Sequence, residues 1–160
     1  PPALTPRGQI RALTPGEGDL CTEMFGAGLD FRRVRILAWP LFWPVRAFVT
    51  GPVLAVWPWR AAFADFAHPG VPLTAQALFI HEMAHVWQAQ NGVNLLLGKL
   101  RAGDGPSAYA YDLAAAPDFH RFNIEQQAMV VEHAFIAARG GPVPHPPQAY
   151  AALAEAWRRA

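Results

Sequence analysis

Within the apolar run Phe79-Ile80-His81-Glu82-Met83-Ala84-His85-Val86-Trp87-Gln88 the chain carries His-Glu-x-x-His, a spacing that can hold a metal ion. On a helix turning about 100° per residue, His81 and His85 project from one face one turn apart, so both imidazoles can reach a single ion. Glu82 stands beside them and can take a proton from a metal-activated water without itself being a ligand, which is a general-base role. Ile80, Met83, Ala84, Val86 and Trp87 make the helix a buried one, where two histidines and a carboxylate need partners or a metal. The plainer reading is a pair of hydrogen-bonded core histidines with a surface Glu82. The sequence favours the zinc site over it.

A third ligand must come from elsewhere. Glu125 is the first choice: it lies 125 − 85 = 40 residues beyond His85, on a helix that can cross the His81 helix. Rivals are Glu132, which returns to nearly the same helical face two turns later, and His133, His120, Asp118 and Asp112. Glu132 can instead orient a ligand imidazole from behind. Tyr109 and Tyr111 carry hydroxyls that could stabilise an oxyanion, although rings packed in the core are the simpler explanation of both. For Glu125 a solvent-facing helix acid is the alternative, and for His120 and His133 a capped or surface histidine.

The elements that position these residues follow from periodicity and punctuation. Residues 1–12 read as an irregular arm, and residues 13–160 as one domain. Thr14-Pro15-Gly16-Glu17 has the form of a capping box, which predicts a helix over Pro15–Phe25 that stops at Gly26 and buries Leu20, Met24 and Phe25. Alternation from Phe31 to Leu37 predicts a first strand, and Thr50-Gly51-Pro52 a turn joining strands at 46–49 and 53–57. One of these strands could be an edge that pairs with an extended peptide, and Trp39, Trp43, Trp57 and Trp59 could line a docking surface. Both features are also compatible with ordinary core packing. The central helix opens at Pro72-Leu73-Thr74, with Thr74 as its N-cap, and closes at Asn91-Gly92. A helix over 93–100, strand-like alternation over 107–113, a strong helix over 123–139 and an amphipathic one over 148–158 complete the chain.

Composition narrows the possibilities. With 160 residues, 52% hydrophobic and 16% charged, the chain can bury a sizeable core. A formal charge of +1, with arginines scattered along the sequence, offers no basic field for nucleic acid. The lone Cys21 cannot form an internal disulfide or a cysteine-rich zinc site, so any metal must be held by histidine and carboxylate. Residues 36–63 are apolar and rich in tryptophan, but Pro40, Pro44, Pro52 and Pro58 break the run and Arg46 interrupts it, which argues against a transmembrane helix. A start at Pro1-Pro2 without Met fits a processed or truncated chain, and no basic segment followed by an apolar one stands there.

Phe79–Gln88, together with Phe122-Asn123-Ile124-Glu125-Gln126-Gln127-Ala128, resembles the zincin-like metallopeptidase domains of Vgr-related proteins, encoded beside bacterial type VI secretion and contractile injection genes. Leu13–Glu17 and Tyr111-Asp112-Leu113 extend the similarity over most of the chain. The motif helices alone resemble the glutamate-type, thermolysin-like zincins, in which an Asp four residues after the ligand Glu supports a histidine; here that position is Met129. The resemblance implies a bacterial protein, cytoplasmic or exported by a secretion system. Motif and resemblance together lead to an α+β fold, mostly helical and zincin-like, with a small antiparallel sheet on the active-site helix. They also lead to a zinc-dependent peptidase in which Zn²⁺ on His81, His85 and Glu125 lowers the pKa of its water toward about 7 and Glu82 is the base. The expected partners are a peptide or protein substrate and a secretion-system component. The alternative is an accessory or binding protein of the secretion apparatus that keeps the fold as a scaffold.

Overall fold

The fold is built around one helix that is apolar on nearly every face. In the computed structural model, which describes residues 1–114 and 118–158, helix α2 (Leu73–Gln90) buries Phe79, Ile80, Met83, Ala84, Val86 and Trp87 within one core cluster. A helix this apolar must be covered on most sides, and from Phe79 to Gln88 every residue is buried. Helix α4 (Ile124–Ala138) packs along it, α1 (Pro15–Phe25) and α3 (Leu95–Ala102) touch it, and a small sheet closes the remaining side. Helix α5 (Pro147–Arg158) packs on α4, with Tyr150 and Trp157 buried in the same core.

The sheet has strands β1 (Ile10–Ala12), β2 (Arg35–Trp39), β3 (Phe48–Val49) and β4 (Leu54–Pro58) in the order β1-β2-β4-β3. The predicted hairpin is present as β3 antiparallel to β4, with Val49 opposite Ala55. The fold is α+β as expected, but the sheet is mixed rather than antiparallel throughout, because β2 runs parallel to β4 from Arg35 opposite Leu54 to Trp39 opposite Pro58. Ile36, Ala38, Ala55 and Trp57 from the paired central strands are buried in the core.

Helix starts follow local capping chemistry. Thr14 and Glu17 form the expected capping box of α1, and Asn123 and Gln126 form another at α4. Asn94 caps α3 by accepting from the Leu97 amide. Thr74 does not cap α2; Pro72 occupies that position and makes no side-chain cap bond. Residues 107–113 differ from the strand-like alternation, since Pro106–Ala108 is a 3-10 turn and irregular backbone follows. The physical reason lies in α4: Asn123 Nδ2 donates to Ala108 O at 3.0 Å and Gln126 Nε2 to Ala110 O at 2.6 Å, so side chains satisfy carbonyls that a sheet would otherwise pair. Phe31–Arg33 is likewise a 3-10 turn, and the strand begins only at Arg35.

The N-terminal segment is more ordered than an irregular arm. Strand β1 pairs with β2, and Leu4 bridges to Phe63. Arg11 on β1 forks onto Glu17, with Nη1 2.8 Å from Oε2 and Nη2 2.7 Å from Oε1. Glu17, fully buried, also accepts from the backbone amides of Thr14 and Phe66, each at 2.9 Å. One carboxylate thus joins β1, α1 and the segment before α2. Glu17→Ala would leave the Arg11 charge without its carboxylate, although Arg11 keeps its bonds to Thr5, Ala12 O and Phe63 O, and would leave two amides unpaired; it is expected to lower stability by about 3–5 kcal/mol, read from chemical denaturation.

Candidate metal centre

Helical phase puts both histidines of α2 on the side that faces α4. His81 is 6% exposed and His85 2%, their ring centroids 5.0 Å apart. Helix α4 delivers Glu125 in its first turn, directly after the Asn123 capping box that fixes where the helix begins. Glu125 Oε2 stands 3.4 Å from His81 Nε2 and 3.2 Å from His85 Nε2. In a tetrahedral site with bonds of about 2.0–2.2 Å, ligand atoms lie roughly 3.3–3.6 Å from one another, so these separations fit a shared ion. His81, His85 and Glu125, with one ligand atom each all within 4.8 Å of one another, could hold a metal ion.

The rear nitrogens of both rings are held by other side chains. His81 Nδ1 donates to Glu132 Oε2 at 2.9 Å, a carboxylate that can only accept when ionised. His85 Nδ1 lies 2.9 Å from Gln88 Oε1. Gln88, fully buried, spends its own amide protons on Ile124 O at 2.9 Å and Gln127 Oε1 at 3.0 Å, so its oxygen must accept and His85 must donate. With both Nδ1 atoms engaged, both Nε2 atoms turn toward the same oxygen of Glu125. Sequence reasoning passed over Gln88, although its position three residues after His85 on the same helix was the signal available.

The charges are strongly coupled. Burial works against a charged His81, yet hydrogen bonds to Glu125 and Glu132 raise it to about 10. Burial would also raise Glu125, but the two imidazoles hold its carboxyl well below the usual range. Glu82 is 5% exposed, and its Oε2 is buried with no hydrogen-bond partner among the described residues.

A cleft of about 510 Å³ opens over this cluster. Val45, Arg46, Ala47, Lys99, Tyr109 and Met129 are among the residues that line it, with Glu82 and Glu132 inside. Tyr109 therefore reaches the cleft, and its hydroxyl is pushed up by burial and by the Glu125 charge. Tyr111 and His133 do not line it: Tyr111 hydrogen-bonds to His133 Nδ1 and, at 2.8 Å, to the Tyr150 hydroxyl, beneath α5. Asp112 and Asp118 close local turns by accepting from the Ala114 and His120 amides, and His120 is exposed. Among the tryptophans, Trp57 is core, Trp39 and Trp59 are half-buried, and Trp43 is 75% exposed.

No family model matches the chain. Over 136 residues it is 35% identical to the type VI secretion system spike protein VgrG2b of Pseudomonas aeruginosa, covering 79% of this chain and 13% of that protein. The chain thus spans 13% of that relative's length. The solved effector domain of Pseudomonas aeruginosa VgrG2b matches with a TM-score of 0.67 and 32% identity, covering 89% of this chain and 80% of that one.

Two expectations follow from the ligand geometry. With zinc as the probe ion, Glu125→Ala should abolish stoichiometric metal uptake, whereas Glu132→Ala, which removes a rear support of His81, should weaken it roughly 10–100-fold; metal analysis and competition with a chromophoric chelator distinguish the two. His81, protonated in the metal-free chain at pH 7.5 because it is raised to about 10, must lose its Nε2 proton to ligate. Zinc uptake at that pH should therefore release roughly one proton from His81, read from calorimetry in two buffers of different ionisation enthalpy.

Proposed function

This chain belongs to the family of the VgrG2b effector domain, and from that premise we propose that it is a type VI secretion-associated effector domain whose centre hydrolyses peptide bonds with the help of a bound zinc ion. The observation that carries the hydrolytic part is Glu82: a carboxylate with one oxygen buried and without a hydrogen-bond partner, in the cleft beside two imidazoles that share one carboxylate, is placed to accept a proton there.

His81, His85 and Glu125 would hold the ion, which when bound supplies Lewis acidity to a carbonyl and to a water. Glu82 takes the proton of the attacking water, because it stands in the cleft next to His81 and its Oε2 has no hydrogen-bond partner among the described residues. Glu132 and Gln88 keep the imidazoles in one tautomer and one orientation through Nδ1. Tyr109, a phenol protonated at neutral pH and pushed further up by burial and the Glu125 charge, donates a hydrogen bond to the carbonyl oxygen as charge develops on it. Strand β3 ends the sheet order next to Val45–Ala47 of the cleft wall, so an extended peptide can align along that edge.

A second reading keeps the same family and assigns the fold a binding role at the secretion apparatus. It is favoured by the relative's description as a spike protein, a part of the apparatus itself. Glu82→Gln separates the two, because it preserves size and packing while removing the base. The variant is expected to remain folded and to keep its zinc, and to cleave a broad peptide library at least roughly 100-fold more slowly than the wild type. A wild type that cleaves nothing, while it and the variant bind a spike component equally, would establish the binding role.

A further inference from the structure

Among the described residues, the most exposed large apolar side chains belong to two segments that each also contribute a residue to the wall of the cleft. Between β2 and β4, Phe42 is 73% exposed, Trp43 75% and Val45 80%; on α3, Leu96 and Leu100 are each 73% exposed. Val45 and Lys99, which belong to these two segments, both line the same cleft. Isolated apolar residues on a surface need no explanation, but two protruding groups on one rim do.

Charge in these segments has one sign. Residues 31–64 contain Arg32, Arg33, Arg35, Arg46 and Arg60 and no acidic residue, and residues 83–103 contain Lys99 and Arg101 and none either. Two of the cations sit in the rim itself: Arg60 lies 5.2 Å over the Phe42 ring, and Arg46 follows Val45 in the cleft wall. Asp104, just past α3, is the acid nearest to α3 along the chain, and the acids of the cleft, Glu82, Glu125 and Glu132, are buried or half-buried within it. Side chains that protrude this far would each need a matching pocket on a protein partner. A lipid interface accepts any such relief, and it favours Trp, Phe and Leu flanked by Arg and Lys. Among the described residues no helix is long and apolar enough to cross a membrane, so contact would be with the surface alone.

We propose that the cleft rim, formed by Leu41–Val45 and the Leu96/Leu100 face of α3, docks on an anionic lipid bilayer and turns the mouth of the cleft toward it. This surface does not depend on zinc or on Glu82, so chelation leaves it intact and its test stands apart from that of the hydrolytic reading.

The experiment is co-sedimentation of the protein with vesicles of phosphatidylcholine alone or with phosphatidylglycerol added, at low and high salt. Sedimentation with the phosphatidylglycerol vesicles is expected, about tenfold weaker on pure phosphatidylcholine and weaker in high salt. The paired substitutions Phe42→Ser with Trp43→Ser, and Leu96→Ser with Leu100→Ser, should each reduce binding about tenfold or more. All four side chains are exposed, so thermal unfolding should be unchanged. Absence of binding to phosphatidylglycerol vesicles, equal binding to both vesicles, or full binding by both paired variants overturns the proposal. So does a dimer of the wild type that Phe42→Ser with Trp43→Ser dissolves while vesicles bind neither, since the rim would then cover a second copy.

Discussion

Helices α2 and α4 cross where a single carboxylate oxygen of Glu125 meets the Nε2 atoms of His81 and His85 at 3.4 and 3.2 Å, and the surrounding packing serves that meeting. Placing such groups between two apolar helices is costly unless every polar atom is matched. The matching here is nearly complete: Glu132 takes one rear nitrogen, Gln88 the other, and Gln88 in turn grips Ile124 O and Gln127 at the start of α4. The network therefore also sets how α4 sits on α2. Gly98 helps from the far side, since a Cβ there would lie 2.9 Å from the Ile124 side chain, so α3 can approach α4 this closely only without one.

Against that background the partnerless oxygen of Glu82 stands out chemically. A fold that satisfies Gln88 fully and gives buried Glu17 four hydrogen-bonding contacts leaves one carboxylate oxygen in the cleft unmatched. The indole N–H groups of Trp39, Trp87 and Trp157 are also buried without a partner among the described residues, and what sets Glu82 apart is its ionisable carboxylate beside the two imidazoles in the cleft. The family relation to a secretion effector domain and the apolar, cationic rim bear on a different question, which is where such a cleft would meet its target.

Departures from the sequence-based expectations share a cause. Strand-like alternation at 107–113 was overruled by side chains from α4, and β1 emerged from a proline-rich arm because Arg11 had a buried partner in Glu17. The first effect links residues 15 or 16 apart, and the second an Arg11–Glu17 pair only six apart, whose carboxylate is anchored in turn by the Phe66 amide. Met129, which stands where a supporting Asp occurs in thermolysin-like enzymes, likewise shows why local motif comparison was insufficient: the rear contacts of the histidines come from Glu132 and Gln88.

What the sequence determined by itself was local and periodic. The four-residue spacing of His81 and His85, the apolar wrapping of α2, the capping boxes at Thr14 and Asn123 and the hairpin around Thr50–Pro52 all depend on contacts within a few residues, which helical phase and turn chemistry specify directly. Tertiary structure alone decided the rest. It brought Glu125 rather than His120, Asp112 or Asp118 to the two imidazoles, put Tyr109 in the cleft and Tyr111 beneath α5, and made the sheet mixed by laying β2 parallel to β4. Those outcomes rest on how buried faces of distant elements fit together, and neither spacing nor periodicity along one segment carries that information.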